Sequence, residues 1–196
     1  GKTPKEVEKI KIVDPACGSG SFLLGAYQYL LNWHLQYYKP EFEKLTAVAQ
    51  NSKEYNEKQR NDALKERNKL PLTPTGNLIT ALKKQILLNN IYGVDIDTQA
   101  VEVTKLSLLL KCMEGETGSS ITAEMRFGER ILPTLDSNIK SGNSLVDMDF
   151  YEGQIDFTPD LEKKVKPFSW EKAFPEVFKV QKVFVSNELK WHNKKV

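Results

Sequence analysis

The chain has 196 residues, 40% hydrophobic and 28% charged, with a formal net charge of +2. That length suits one sizeable core and one domain, and the charge balance neither demands nor rules out a nucleic-acid partner. No apolar run is long enough to span a membrane, and two cysteines, Cys17 and Cys112, argue against a disulfide framework and fit a reducing cytosol.

The start, Gly1-Lys2-Thr3-Pro4, has neither a methionine nor a signal-peptide pattern and reads as the edge of an excised piece. Thr3 and Pro4 predict a short helix through Glu8. The stretch Lys11 to Leu24 then reads as strand, glycine turn and helix start. Ile12 and Val13 are β-branched and apolar, and Asp14-Pro15 ends the strand because proline has no N–H to donate. Gly18 and Gly20 permit a tight turn that a ligand can approach closely, and Ser19 or Ser21 is placed to cap the next helix. That helix is expected to carry Phe22, Leu23, Ala26, Tyr27 and Leu30 on its apolar face and to stop near Tyr38, before Pro40.

Residues 40–70 are rich in charge and in helix formers, and read as one or two exposed helices inserted on the sheet's flank. The lysines and arginines from Lys53 to Lys69 alternate with Glu54, Glu57, Asp62 and Glu66, which marks a solvated face rather than a phosphate track. After a turn at Pro71 to Gly76, Asn77 is placed to cap a helix from Leu78 to Asn89, with Leu78, Ala81, Leu82, Gln85 and Leu88 at helical spacing. Ile91 to Asp95 is a second strand. Asp97 or Thr98 caps a long helix to about Met113, ended by Gly115, with Val101, Val103, Leu106, Leu109 and Leu110 as its apolar side. Ile121 to Phe127 alternates like a strand but stays open between strand, helix and loop. Ile139 to Val146 reads as a short strand ending in a turn, Asp147 to Pro167 as loop, Trp170 to Phe178 as a short segment capped by Ser169, and Lys182 to Ser186 as a further strand.

Asp14-Pro15-Ala16-Cys17-Gly18-Ser19-Gly20 resembles the first motif of N6-adenine DNA methyltransferases, and the run through Tyr27 is similar to the methylase regions of Type IIG restriction–modification enzymes and Type I modification subunits. The resemblance covers most of the chain. It implies a class I methyltransferase fold: α/β, Rossmann-like, a mostly parallel sheet with helices on both faces, here in an incomplete form. It also implies S-adenosylmethionine as cofactor, DNA as partner through parts largely outside this chain, and a cytoplasmic enzyme. Residues 1–196 then form a single cofactor-binding domain, with the insertion at 40–70 delaying the second strand.

On that resemblance the backbone of Pro15, Ala16, Cys17, Gly18 and Gly20 approaches the methionine portion, whose carboxylate suits a helix N-terminus. Asp14 holds the α-ammonium or, alternatively, caps its own turn. Asp95, in Gly93-Val94-Asp95-Ile96-Asp97, offers two oxygens to the ribose hydroxyls; Ile96 lies against the adenine and Asp97 serves as a cap. Gly142-Asn143-Ser144-Leu145 resembles the third motif, in which Asn143 meets the adenine's amine; an ordinary Gly-Asn turn is an equal reading. Cys17 lacks a nearby histidine and is not read as a nucleophile. His34 and His192 with the two cysteines have no metal-ligand spacing, and Trp33, Tyr37 and Tyr38 are read as packing.

The departure lies in catalysis. The family carries Asn/Asp-Pro-Pro-Tyr/Phe after its fourth strand, and this chain has no Pro-Pro. Phe174 to Phe178 is similar to the lead-in, and Asn187 stands where the motif's asparagine would be, followed by Glu188 and Leu189. The resemblance therefore implies the cofactor half of an adenine-specific DNA methyltransferase, inactive as written. The alternatives are a non-catalytic S-adenosylmethionine-binding module or degenerate copy, and a nicotinamide-binding Rossmann domain. The last is disfavoured because the turn lacks the third glycine of G-x-G-x-x-G.

Overall fold

A computed structural model describes residues 1–116, 132–152 and 164–178. Three parallel strands, β1 (Ile12–Asp14), β2 (Ile91–Asp95) and β3 (Ile139–Ser141), lie side by side in that order. Ile12 pairs with Ile91 and Asp14 with Gly93, while Gly93 pairs with Ile139 and Asp95 with Ser141. Parallel neighbours need crossovers, and helices supply them. Between β1 and β2 run α2 (Ser21–Gln50), α3 (Glu57–Arg67) and α4 (Thr80–Asn90), and between β2 and β3 runs α5 (Thr98–Met113). Before the sheet, α1 (Pro4–Val7) is closed by a hydrogen bond from the Thr3 N–H to the Glu6 carboxylate.

Side chains alternate across β2, so two cores form. Ile91 joins Leu23, Tyr27, Leu30, Ile86, Leu87, Val101, Leu108 and Ile139 under α2, α4 and α5. Tyr92 and Val94 face the other way and meet Phe168 and Phe174. Among the described residues that second face is covered by the segment 164–178, which includes the one-turn α6 (Trp170–Ala173), rather than by long helices. Phe168 and Trp170 meet edge to face at 5.2 Å, as do Tyr92 and Phe174 at 5.5 Å.

Several helix expectations are corrected. α2 does not stop at Tyr38 but continues through Pro40 to Gln50. Gln36 and Pro40 are exposed, so the Gln36 carbonyl that loses its N–H partner faces water. The helix's distal half then packs against α3, which starts at an Asn56 cap accepting from the Gln59 N–H at 2.9 Å. Asn77 is not a helix cap. It lies in a turn where its carbonyl accepts the Thr73 N–H at 2.7 Å, and Leu78 bridges to Leu72.

The buried faces of α4 and α5 also differ from the periodicity. On α4, Ala81 and Gln85 are exposed and Lys83 and Asn90 are buried. Their polar ends are satisfied there: Lys83 Nζ donates to the Glu114 carbonyl at 3.0 Å and the Glu116 carboxylate at 2.7 Å, and Asn90 Nδ2 donates to Val7 O and Ile10 O. On α5 the buried residues are Val101, Thr104, Leu108 and Cys112, while Val103, Leu106 and Leu110 are exposed. Phe22, expected inside, is 61% exposed. Ser169 precedes α6 without a side-chain capping bond. The open stretch Ile121 to Phe127, the expected strand Lys182 to Ser186, and His192 lie outside the described residues.

Candidate functional site

Because the three strands run parallel, their carboxyl ends share one edge, and the loops leaving them lie side by side there. The first loop is stitched down by backbone bonds. Cys17 N–H donates to Val94 O at 2.9 Å, and Gly20 N–H donates to Cys17 O at 2.8 Å. Gly18 and Gly20 take φ values of 51° and 85°, in the left-handed region that favours glycine. Gly20 is required twice, since a Cβ there would also lie 2.8 Å from Thr104 Cγ2. At Gly18 a Cβ would meet nothing within 4 Å, so this part of the turn faces open space. Neither Ser19 nor Ser21 caps α2; Gly20 is the N-cap residue, no side chain caps the helix, and its first turn has no acidic residue.

Asp95 is tied into this turn. Its Oδ2 accepts the Gly18 N–H at 2.8 Å and its Oδ1 accepts the Asp97 N–H at 2.9 Å. A carboxylate has about four lone-pair sites, so acceptor capacity remains on each oxygen. Thr104 Oγ1 donates to Gly18 O at 2.8 Å, and Gly18 is thereby held through both its N–H and its carbonyl. Nothing in the sequence singles out Thr104 as a partner of this turn beyond a faint signal, a small polar residue interrupting the apolar run of α5. Asp14 Oδ1 accepts the Ala16 N–H at 3.1 Å, and Asp97 Oδ1 accepts the Gln99 N–H at 2.8 Å as the cap of α5.

The third loop joins the same edge. Gly142 N–H donates to Asp95 O at 2.9 Å, and a Cβ at Gly142 would lie 2.5 Å from the Phe168 ring, so glycine is needed there for close approach. Asn143 Oδ1 accepts the Leu145 N–H at 3.2 Å, as in a Gly-Asn turn, and its own N–H donates to Lys166 O at 2.7 Å. Ile96 is 46% exposed beside it. Asp14, Pro15, Ala16, Cys17, Gly18, Gly20, Asp95, Ile96 and Asn143 thus come to one edge of the sheet, whereas Asn187 lies outside the described residues.

Cys17 is buried, and burial, followed by the charges of Asp95 and Asp14, pushes its thiol up to about 11. A thiol shifted in that direction is held in its neutral form, the less nucleophilic of the two. His34 is buried with Nδ1 against Leu30 O at 2.8 Å, and burial lowers its pKa. Trp33 stacks on Tyr37 with 5.6 Å between ring centroids.

The MmeI DNA-methyltransferase domain family matches residues 2–155. The chain belongs to that family. It is 34% identical over 148 residues to the Escherichia coli type II restriction enzyme and methyltransferase RM.Eco57I, covering 75% of this chain and 12% of that protein. It is 35% identical over 141 residues to RM.MjaORFECS2P of Methanocaldococcus jannaschii, covering 72% of this chain and 9% of that protein. The chain therefore spans about a tenth of the length of these curated relatives. No solved structure gives a significant match. As a member of this family the chain is a restriction–modification methylase region, and no helix among its described residues is long and apolar enough to cross a membrane.

Proposed function

We propose that this domain is the cofactor-binding part of an adenine-specific (N6) DNA methyltransferase of a restriction–modification system, that it binds S-adenosylmethionine along the strand ends, and that it works in the cytoplasm. The observation that carries the proposal is the Gly18 turn: open toward the outside, held by Asp95 and Thr104, and placed between the uncapped start of α2 and the end of β2. Such a site fits the cofactor's donor set. The uncapped N-terminus of α2 suits the carboxylate. Asp14 keeps acceptor capacity for the α-ammonium after bonding Ala16, and Asp95 keeps some on each oxygen for the ribose hydroxyls. Ile96 offers an apolar surface and Asn143 an amide for the adenine.

When bound, the cofactor supplies a methyl group on a sulfonium, and this chain's residues fix where that methyl stands. The Asn-Pro-Pro-Tyr/Phe element that accepts the protons of a target amine and stacks on a flipped base is absent from these 196 residues. Target binding and proton removal are accordingly assigned to other parts of a full-length protein. That same absence favours a second reading, a binding module with no catalysis of its own.

Isothermal calorimetry with S-adenosylmethionine, S-adenosylhomocysteine and NAD tests the cofactor. Binding of the first two and none of NAD is expected. Binding of NAD alone would overturn the proposal.

A further inference from the structure

Lys166 is the non-glycine residue with positive φ among the described residues, at 46°. From that conformation it reaches two loops of the site. Its carbonyl accepts the Asn143 N–H at 2.7 Å, and its Nζ donates to the Ile96 carbonyl at 2.8 Å. Ile96 and Asn143 are the two residues assigned above to the adenine, and they leave different strands. A left-handed backbone at a lysine is disfavoured and persists only where the surroundings over-determine it.

The segment's attachment to the sheet does not depend on the ammonium. Pro167 bridges to Asn143, Phe168 N–H donates to Val146 O at 2.7 Å, Trp170 Nε1 donates to Ser144 O at 3.0 Å, and Phe168 and Phe174 are buried against Tyr92 and Val94. The loops after β2 and β3 are already joined at their roots by Gly142 N–H to Asp95 O at 2.9 Å and by Ser141 Oγ to Ile96 O at 3.5 Å; the Nζ bond adds a second, shorter hold on the Ile96 carbonyl from the Asn143 side. We propose that Lys166 is a positioning residue that orients Ile96 at the adenine end of the site by holding its carbonyl toward the Asn143 turn, a role that rests on the cofactor assignment above.

The test uses Lys166→Met, Lys166→Arg and Lys166→Gly. Each is measured for melting temperature and for affinity toward S-adenosylhomocysteine and S-inosylhomocysteine, which carries a 6-oxo group in place of the 6-amine. The unsubstituted protein should prefer the amine. Lys166→Met should weaken S-adenosylhomocysteine binding roughly tenfold and narrow that preference, and Lys166→Arg should restore much of both. Lys166→Gly relieves the backbone while removing the ammonium. It should melt no lower than the unsubstituted protein yet bind like Lys166→Met. Unaltered affinity and preference in Lys166→Met and Lys166→Gly would overturn the proposal, as would full recovery of binding in Lys166→Gly, which would leave only a backbone role. Failure of the unsubstituted protein to bind S-adenosylhomocysteine would instead overturn the cofactor assignment itself.

Discussion

Each oxygen of the Asp95 carboxylate accepts one backbone N–H, from Gly18 and from Asp97, so removing it has two separable consequences. The Gly18 N–H is half-buried, and Asp95→Ala should cost about 1–3 kcal/mol of stability, lowering the melting temperature by a few degrees for a chain of this size. It should also weaken S-adenosylhomocysteine binding about tenfold or more, because the ribose hydroxyls lose a charged acceptor. Asp97→Ala should cost about 1 kcal/mol and leave affinity unchanged, since that carboxylate caps α5 through Gln99. Urea denaturation and calorimetry on both variants separate the two effects; unchanged binding in Asp95→Ala removes it from the site. The acid at the end of β2 was legible in the sequence from its place after Val94. Its bond to Gly18 was not, because 77 residues separate the partners and nothing local records the contact. Thr104 was hidden for the same reason, its partner Gly18 lying 86 residues away.

Elements were legible where local chemistry decides them. Ile12-Val13 before Asp14-Pro15, the glycine turn, and Ile91 to Asp95 before the Asp97 cap all form where their residue types predict. Helix faces were less legible. α5 is apolar at so many positions that several stripes fit its period, and the buried stripe is the one that carries the small residues Thr104 and Cys112, with Thr104 packed directly against Gly20. Proline punctuation also misled at Pro40, where an exposed helix tolerates the missing bond. The same observation gives a prediction. Proline in a helix interior costs roughly 3 kcal/mol relative to alanine, offset by under about 1 kcal/mol from the stiffer unfolded chain. Pro40→Ala should therefore stabilise the domain by about 1–2 kcal/mol, read as a higher urea midpoint with an unchanged slope. A lower midpoint would mean that the proline ring, rather than the helix around it, holds α2 against α3.

At the scale of the whole molecule, the described residues place every proposed cofactor contact on one edge of a three-stranded sheet, while nothing in the 196 residues supplies the paired prolines of the family's catalytic loop. Methyl transfer depends on holding the target amine's lone pair in line with the methyl carbon, and positioning of this kind can account for roughly 7–11 kcal/mol of a barrier. DNA contact is also expected to be slight. The formal net charge is only +2, and in the small basic run Lys163, Lys164 and Lys166 the last ammonium already bonds Ile96 O, so few phosphate contacts are expected and the salt dependence should be shallow. The expected outcome is cofactor binding without transfer: tritiated S-adenosylmethionine is retained by the protein, and no label enters mixed-sequence DNA above the level seen with protein omitted. A second arm carries Asn187→Ala. Incorporation into adenine by the unsubstituted chain, abolished in that variant, would show that Asn187 serves catalysis without its prolines. Incorporation that survives the substitution would place the amine's acceptor elsewhere in these 196 residues. Either result would overturn the division of labour proposed here, in which this domain holds the methyl donor and other parts of the protein present the base.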